Sequence, residues 1–176
     1  EQQLAVEAED ALIASGADWT VVRSAFFAQN FTESFWSEEL AQGSLTLVEH
    51  QVGEPFIDTD DLADVVVAAL TTPGHAGVVH EVTGPRLVTF AEIADEVGTL
   101  TGRPVAYTEL DPGAYIAALV AAGLPEHDAA GLSHVFTEAL DGRNAHVTTT
   151  VRDLLGREPR DVAEVQPRMT ELFAKL

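Results

Sequence analysis

The sequence predicts an α/β fold with a mostly parallel sheet. Segments of helical periodicity alternate with short segments rich in β-branched residues along the 176 residues. Glycine and proline stand between many of these segments, where they typically end helices and strands. The predicted strands are too few for a complete doubly wound sheet, and no internal repeat or low-complexity linker marks a domain boundary. We therefore expect residues 1–176 to form a single compact unit.

The N-terminal part predicts a helix, a strand and then an aromatic segment. The helix runs from Leu4 to Gly16, and residues 19–23 predict a buried strand. A helix followed by a strand is half of a βαβ unit, so the matching first strand would precede Glu1. The aromatic segment, residues 26–36, carries five of the ten Phe and Trp residues. Such a density fits either an ordinary core or an apolar lid over a flat ligand.

The middle of the chain predicts three short strands and one helix. The strands are residues 44–48, 54–57 and 78–83, and the last of these is typical of a central strand. Acidic and hydroxyl side chains at residues 58–60 offer N-cap oxygens for the helix. Its expected apolar face consists of Leu62, Val65, Val66, Ala69 and Leu70.

The C-terminal part predicts mainly helices. Residues 89–92 form a capping box, which opens a helix, and a strand of residues 105–110 follows. Pro112 begins an alanine-rich helix, another helix starts after Pro125, and two short ones follow from Thr148 to the C-terminus. The expected inward face of the capping-box helix consists of Phe90, Ile93, Ala94 and Val97.

Composition excludes several classes of function. The formal charge of −20, from 29 acidic and 9 basic residues, would repel a phosphate backbone, so no nucleic-acid partner is expected. The absence of cysteine excludes disulfides and thiolate chemistry. The longest apolar run, residues 65–70, is too short to cross a bilayer, and no signal-peptide pattern opens the chain. We therefore expect a soluble, cytoplasmic protein without a membrane partner.

Motifs for self-contained catalysis are missing from the sequence. No glycine-rich turn joins a predicted strand to a helix, as a dinucleotide phosphate site requires. The only lysine is Lys175, which excludes a Walker-type loop and a Tyr-x-x-x-Lys dyad within these residues. No Gly-x-Ser-x-Gly motif occurs. The sequence therefore leaves the catalytic residues unknown, and we expect this chain alone to be inactive.

Histidines and carboxylates give weaker indications. His75 and His80 fall in different predicted elements, and His127 and His134 lack a third ligand, so no metal site is predicted. The carboxylates of residues 58, 60 and 61 could form an acid/base cluster if one were buried. Helix capping is the favoured interpretation, because they precede a strongly amphipathic stretch.

Several motifs resemble those of NmrA-like proteins, which are atypical short-chain dehydrogenases/reductases. The N-terminal motifs are ASGADWTVVR (14–23), FAQNF (27–31) and PFIDTDDLA (55–63). The motifs PGHAG (73–77), HEVTGP (80–85), TFAEIA (89–94), GRPV (102–105) and LGREP (155–159) follow in the family's order. The resemblance covers essentially the whole chain.

The resemblance implies the later part of a Rossmann-type doubly wound parallel sheet plus a small, mostly helical substrate domain. Residues 1–24 and 78–84 would contribute to the sheet, and residues 25–77 and 85–176 to the substrate side. It also implies that Ser24, Ala25 and Phe26 face the nicotinamide, and that Phe27, Asn30, Phe31 and Phe56 line the substrate pocket. Ser24 departs from the family, which usually has proline there.

The family's N-terminal dinucleotide-binding strands have no counterpart in this sequence. We therefore expect NAD(P)H to bind the full-length protein but not this chain alone. The strand edge near residues 20–23 would need a partner, either an N-terminal segment or another copy in a homo-oligomer. The resemblance implies an NAD(P)H-dependent oxidoreductase acting on a quinone-like or other small carbonyl substrate. The alternative is an NAD(P)H-sensing regulatory or protein-interaction module without turnover.

Overall fold

The computed structural model describes residues 2–50 and 52–165, and it has the predicted mixture of helices and strands. The elements are α1 Gln2–Ala14, β1 Thr20–Ser24, α2 Asn30–Glu33, α3 Phe35–Ala41, β2 Ser44–Val48, α4 Thr59–Thr71, β3 Val78–Val82, α5 Phe90–Thr101, β4 Ala106–Leu110, α6 Pro112–Ala121, α7 Glu126–Ala139, α8 Thr150–Leu155 and α9 Val162–Val165. The part of the final predicted helix beyond α9 lies outside the described residues. No helix in the described ranges combines the length and the hydropathy needed to cross a bilayer.

The strands pair in parallel, as predicted, but in two sheets rather than one. β1 pairs with β3, with Thr20 opposite Val78, and β2 pairs with β4, with Ser44 opposite Ala106. The expectation of mostly parallel strands is therefore confirmed, with the four strands divided between two sheets among the described residues. The physical reason for the division is that the two strand pairs contribute to different hydrophobic clusters: β2 buries Leu47 in one and β3 buries Val82 in the other.

The larger cluster contains an aromatic core made of Phe31, Trp36, Phe56, Phe90 and Phe136. Phe31 stacks on Trp36 at 5.4 Å between ring centroids, and Trp36 stacks on Phe136 at 5.2 Å. Phe90 meets Phe31, Trp36 and Phe56 edge-on at 5.1 to 5.7 Å. Such edge-to-face and stacked pairs add to the stabilisation from buried area. Phe31 and Trp36 of the predicted aromatic segment are therefore ordinary core, whereas Phe27 is 38% exposed.

Three local expectations are wrong. The strand predicted as buried is half-buried from Thr20 to Val22 and exposed at Arg23, because β3 is its only neighbouring strand among the described residues. Residues 54–57 form only isolated bridges, since Pro55 has no N–H to continue a ladder. Leu70 is 79% exposed, because α4 buries Val65 instead and turns its last apolar residue to solvent.

The predicted helix starts are confirmed. Thr89 and Glu92 form the capping box at the start of α5, and all four apolar residues of its predicted inward face are buried. Pro112 is the first residue of α6, and the Asp111 side chain accepts hydrogen bonds from the two following free backbone N–H groups. Local chain chemistry therefore sets these boundaries.

Candidate functional site

A cavity large enough for a small molecule lies at the carboxyl end of β1, the strand that pairs with β3. Its volume is about 450 Å³, which falls in the range of small-molecule sites. In parallel α/β folds, ligands bind beside the carboxyl ends of the strands. The cavity is lined by Ser24, Ala25, Phe26, Phe27, Asn30, Glu54, Ala139 and Asn144. Its place and size therefore make it the candidate ligand site.

Backbone hydrogen bonds hold the segment after β1 along one wall of this cavity. The Ala25 N–H donates to the Val82 carbonyl oxygen at 3.0 Å, which continues the β1–β3 pairing. The Ile57 N–H donates to the Phe26 oxygen, and the Ala28 N–H donates to the Ile57 oxygen, both at 2.9 Å. This extended geometry places the Phe27 ring, which is 38% exposed, among the lining side chains.

The structure brings five of the seven predicted site residues together at the cavity. These are Ser24, Ala25, Phe26, Phe27 and Asn30. The predicted pocket residues Phe31 and Phe56 are not among the lining side chains. Each is 1% exposed, and they pack edge-on against each other at 5.0 Å within the aromatic core. The assignment of all seven residues to cofactor or substrate stays a prediction.

The segment is also fixed to the start of α4 by a buried polar network. The Gln29 amide donates to Asp58 Oδ2 at 3.2 Å and accepts from the Thr59 N–H at 3.0 Å. The other Asp58 oxygen accepts from the Asp60 N–H at 2.7 Å, so the predicted capping role of Asp58 is confirmed. None of the three carboxylates proposed as an acid/base cluster is among the residues that line the cavity.

Asp61 has a structural role that the sequence did not reveal. Its side chain is fully buried, and it pairs with the guanidinium groups of Arg157 and Arg160. The Arg160 N–H also donates to Asp61 Oδ2 at 2.6 Å. These contacts tie α4 to the chain after α8, residues distant in sequence that a local pattern cannot connect.

Sequence reasoning missed three lining residues: Glu54, Ala139 and Asn144. Glu54 is fully buried, and neither of its carboxylate oxygens has a hydrogen-bond partner. Burial, with a smaller contribution from the negative charge of Asp141, raises the pKa of Glu54 to about 7. The signal available in the sequence was the alternation that puts Glu54 on the same side of an extended segment as Phe56.

The loop that carries Asn144 is fastened to the end of β3. The Thr148 N–H donates to the Thr83 hydroxyl at 2.9 Å, and the Thr148 hydroxyl donates to the Glu81 carbonyl oxygen at 2.8 Å. These contacts join residues 65 and 67 positions apart. The wall of the cavity that Asn144 forms therefore depends on tertiary contacts, and no local sequence pattern predicts it.

A smaller cavity of about 80 Å³ adjoins the first. The two share Ser24, Ala25 and Asn144, and the smaller one is also lined by Arg23 and His146. The charge of Arg23 is balanced by ion pairs with Glu9 and Glu81. The shared wall is suited to a planar polar ring, since a serine hydroxyl, a small methyl side chain and an amide border it.

The described residues lack a cradle for dinucleotide phosphates. In that part of the chain no strand passes through a glycine-rich turn into a helix. The one glycine between β3 and α5, Gly84, donates its N–H to the Pro55 carbonyl oxygen at 2.9 Å. Within the described residues the structure therefore shows no site for a pyrophosphate.

The structure joins two histidines that the sequence placed in separate elements. His75 Nδ1 lies 3.0 Å from His80 Nε2. The pKa of His80 is lowered by burial and by the neighbouring His75. Within the described ranges no group of three or more His, Asp or Glu side chains is arranged to hold a metal ion.

Comparisons with known proteins point to reductases. No protein-family model matches the chain. It is 34% identical over 151 residues to the NAD(P)H azoreductase of Xenophilus azovorans, covering 85% of this chain and 52% of that protein. An NADPH-dependent quinone oxidoreductase of Escherichia coli, solved with NADPH, superposes with a TM-score of 0.83 at 26% identity, over 96% of this chain and 58% of that one.

A more distant structure agrees in fold. The triphenylmethane reductase of Citrobacter sp. superposes with a TM-score of 0.77 at 18% identity, over 96% of this chain and 57% of that one. The chain spans about half the length of the curated relatives it matches. The chain therefore has the α/β architecture of a Rossmann-like reductase, and its relatives include NAD(P)H-dependent oxidoreductases.

Proposed function

We propose that this chain is the substrate-side part of an NAD(P)H-dependent oxidoreductase of the NmrA-like type. The full-length protein reduces a quinone-like or other small carbonyl substrate. The observation that carries the proposal is the cavity at the carboxyl end of β1, walled by Phe26 and Phe27 and bordered by polar side chains. Relatives that are azoreductases and quinone oxidoreductases support the same reaction class. The relatives give no support to a regulatory module without turnover.

The seven predicted site residues divide into three groups in this proposal. Ser24, Ala25 and Phe26 border the nicotinamide, while Phe27 and Asn30 contact the substrate. The remaining two, Phe31 and Phe56, act from beneath by supporting that wall. When bound, the reduced nicotinamide supplies a hydride, and the contribution of this chain is to bind and orient the substrate in an apolar cavity.

The open edge of β1 requires a partner in this proposal. Among residues 2–50 and 52–165, β3 is the only strand that pairs with β1. An unpaired parallel edge beside apolar side chains is unfavourable unless another strand or chain covers it. The twofold greater length of the relatives favours a complementing N-terminal segment over a second copy of the chain. Residues 1–24 and 78–84 then belong to the Rossmann sheet, and the rest to the substrate side.

The proposal is tested by cofactor titration and turnover. The full-length protein is expected to bind NADPH and to oxidise it with 2-methyl-1,4-naphthoquinone, whereas residues 1–176 alone are expected not to bind NADPH. In the full-length protein, Phe27→Ala should raise KM for the quinone by about tenfold, because an aromatic wall is lost. Steady-state kinetics measure this change.

The matched control is Leu87→Ala. Leu87 is an exposed apolar residue outside the cavity lining, so KM should stay at the wild-type value. NADPH binding without quinone reduction would overturn the enzymatic proposal. Tight binding of NADPH by residues 1–176 alone would overturn the division between a cofactor part and a substrate part.

A further inference from the structure

Glu54 is placed at the cavity by an antiparallel bridge. Its N–H donates to the Val88 carbonyl oxygen at 2.9 Å, and the Val88 N–H donates back to the Glu54 oxygen at the same distance. The bridge fixes the backbone of Glu54 between two buried segments. Its side chain is then fully buried while still contributing to the cavity lining.

The carboxyl group of Glu54 has no protein partner. Both of its oxygens are buried and make no hydrogen bond to any described residue. A buried polar group without a partner carries a free-energy cost, which is largest for an ionised one. A Gln at this position would avoid the cost of burying a charge, yet the protein has a carboxyl group there. Such a group in a ligand cavity is a candidate for proton transfer.

Few charges act on Glu54. The wall segment, residues 24–30, carries no titratable side chain. The titratable groups near it on the other surrounding elements are Glu49, His50, Asp58, Arg86, His134, Glu138, Asp141, Arg143 and His146. Asp58 caps α4, and Arg86 pairs with Asp161 and Glu96.

Asp141 is the charged group that disfavours ionisation of Glu54. Arg143 donates to its carboxylate at 2.6 Å and holds the pKa of Asp141 below its usual range. The loop approaches the Glu54 segment closely, since a Cβ on Gly142 would lie 3.5 Å from Val52. With Asp141 ionised and water excluded, Glu54 has a pKa of about 7 and keeps its proton in weakly acidic solution.

We propose that the Glu54 carboxylic acid donates a hydrogen bond, and then its proton, to the carbonyl oxygen of the substrate in the cavity. This inference rests on the proposed function. A bound reduced nicotinamide would supply a hydride that forms an O–H bond at one carbonyl of the quinone. The ring π electrons then shift, the π bond of the opposite carbonyl breaks, and its oxygen forms an O–H bond with the Glu54 proton. One hydride and one proton convert a quinone to a hydroquinone. The Glu54 carboxylate then regains a proton from solvent.

The first test measures binding without turnover. The affinity of the full-length protein for 2-methyl-1,4-naphthoquinone, with no reductant present, is measured by calorimetry from about pH 5 to about pH 9. We expect it to fall about tenfold as the pH rises through 7, because an ionised Glu54 can no longer donate a hydrogen bond to the substrate. Glu54→Gln keeps an N–H donor and should bind with an affinity independent of pH.

The second test measures kcat. Glu54→Gln cannot supply a proton, so kcat should fall about 100-fold while KM changes little. The matched control is Glu49→Gln, an exposed residue outside the cavity lining, which should keep the wild-type kcat and pH profile. If Glu54→Gln does not fold, infrared titration of the wild-type protein should show a protonated carboxyl band that disappears through pH 7 and shifts with the quinone.

The outcomes separate this inference from the proposed function. Quinone binding that is independent of pH, or a Glu54→Gln variant with wild-type kcat, overturns the role of Glu54. A full-length protein that never reduces quinones overturns the proposed function. In that case the binding series still decides on Glu54: a loss through pH 7 that Glu54→Gln abolishes supports it.

Discussion

The aromatic core and the β1–β3 region differ in how completely their apolar side chains are covered. The aromatic core buries its rings to 4% exposure or less, whereas α1 and α4, beside β1, expose large apolar side chains. The exposed side chains are Val6, Leu12, Ile13, Val67 and Leu70. The comparison teaches that the aromatic core is closed to solvent, while the helices beside β1 present apolar side chains that suit a further layer.

The cavity lies where these two regions meet. Ser24 and Ala25 come from the end of β1, while Phe26 contacts the aromatic core through Phe136 at 6.4 Å between ring centroids. One wall is therefore supported by dense packing and the other by a strand with one free edge. A ligand at this place would contact both regions.

The largest expected effect is a difference in the free energy of unfolding when one apolar side chain is removed from each region. Phe90→Ala should lower the free energy of unfolding by about 4 kcal/mol, because it leaves a hole among the rings of Phe31, Trp36 and Phe56. Leu70→Ala should change it by less than about 0.5 kcal/mol, since that side chain is exposed. Denaturant unfolding of both variants provides the measurement. Equal losses would show that the β1–β3 side is as well covered as the aromatic core.

A second prediction concerns the close approach of the two regions at Gly84. A Cβ there would lie 1.9 Å from the Phe56 carbonyl oxygen, and backbone cannot move aside as a side chain can. Gly84→Ala should therefore destabilise the protein by about 3 kcal/mol. Gly131→Ala, within α7, is the control, because no atom lies within 4 Å of a Cβ added there. This substitution should stabilise the helix by about 0.5–1 kcal/mol. Thermal unfolding that ranks the two in the opposite order would contradict the close contact.

A smaller effect is expected from the buried ion pairs of α4. Asp61→Asn should cost about 2 kcal/mol, because two guanidinium groups lose a fully buried carboxylate. Asp64→Asn removes an exposed partner of the same Arg157 and should cost less than about 0.5 kcal/mol. Similar values for both would show that burial of Asp61 contributes nothing to the pairing. Urea unfolding at constant pH measures both.

Local chemistry made much of the fold predictable. The capping box at Thr89, the proline at the start of α6 and the β-branched strand before Arg23 each act over a few residues, and the structure has them near their predicted bounds. The features that were not predicted depend on partners distant in sequence. The burial of β1 depends on neighbours that the described residues do not supply, and the split into two sheets depends on which cluster each strand packs against.

The candidate site was predictable along one wall only. Ser24 to Phe27 follow a strand directly, so their position at its carboxyl end comes from chain connectivity. Glu54 and Asn144 lie on segments that are held by the Val88 bridge and the Thr148 contacts. These contacts join residues distant in sequence, so a local pattern does not predict them. The period-two relation of Glu54 to Phe56 was visible in the sequence, and residues 54–57 were predicted as a strand, but that pattern does not show that Glu54 borders a cavity.

The fastening of the Asn144 loop to β3 has a practical consequence for altering ligand selectivity. Ala139 and Asn144 line the cavity, yet neither belongs to the aromatic core, and the Thr148 anchor lies outside the cavity lining. Combinatorial libraries restricted to these two positions can thus vary the shape of one wall without repacking the interior. Attempts to change which ligand the candidate site accepts would therefore begin at these two positions.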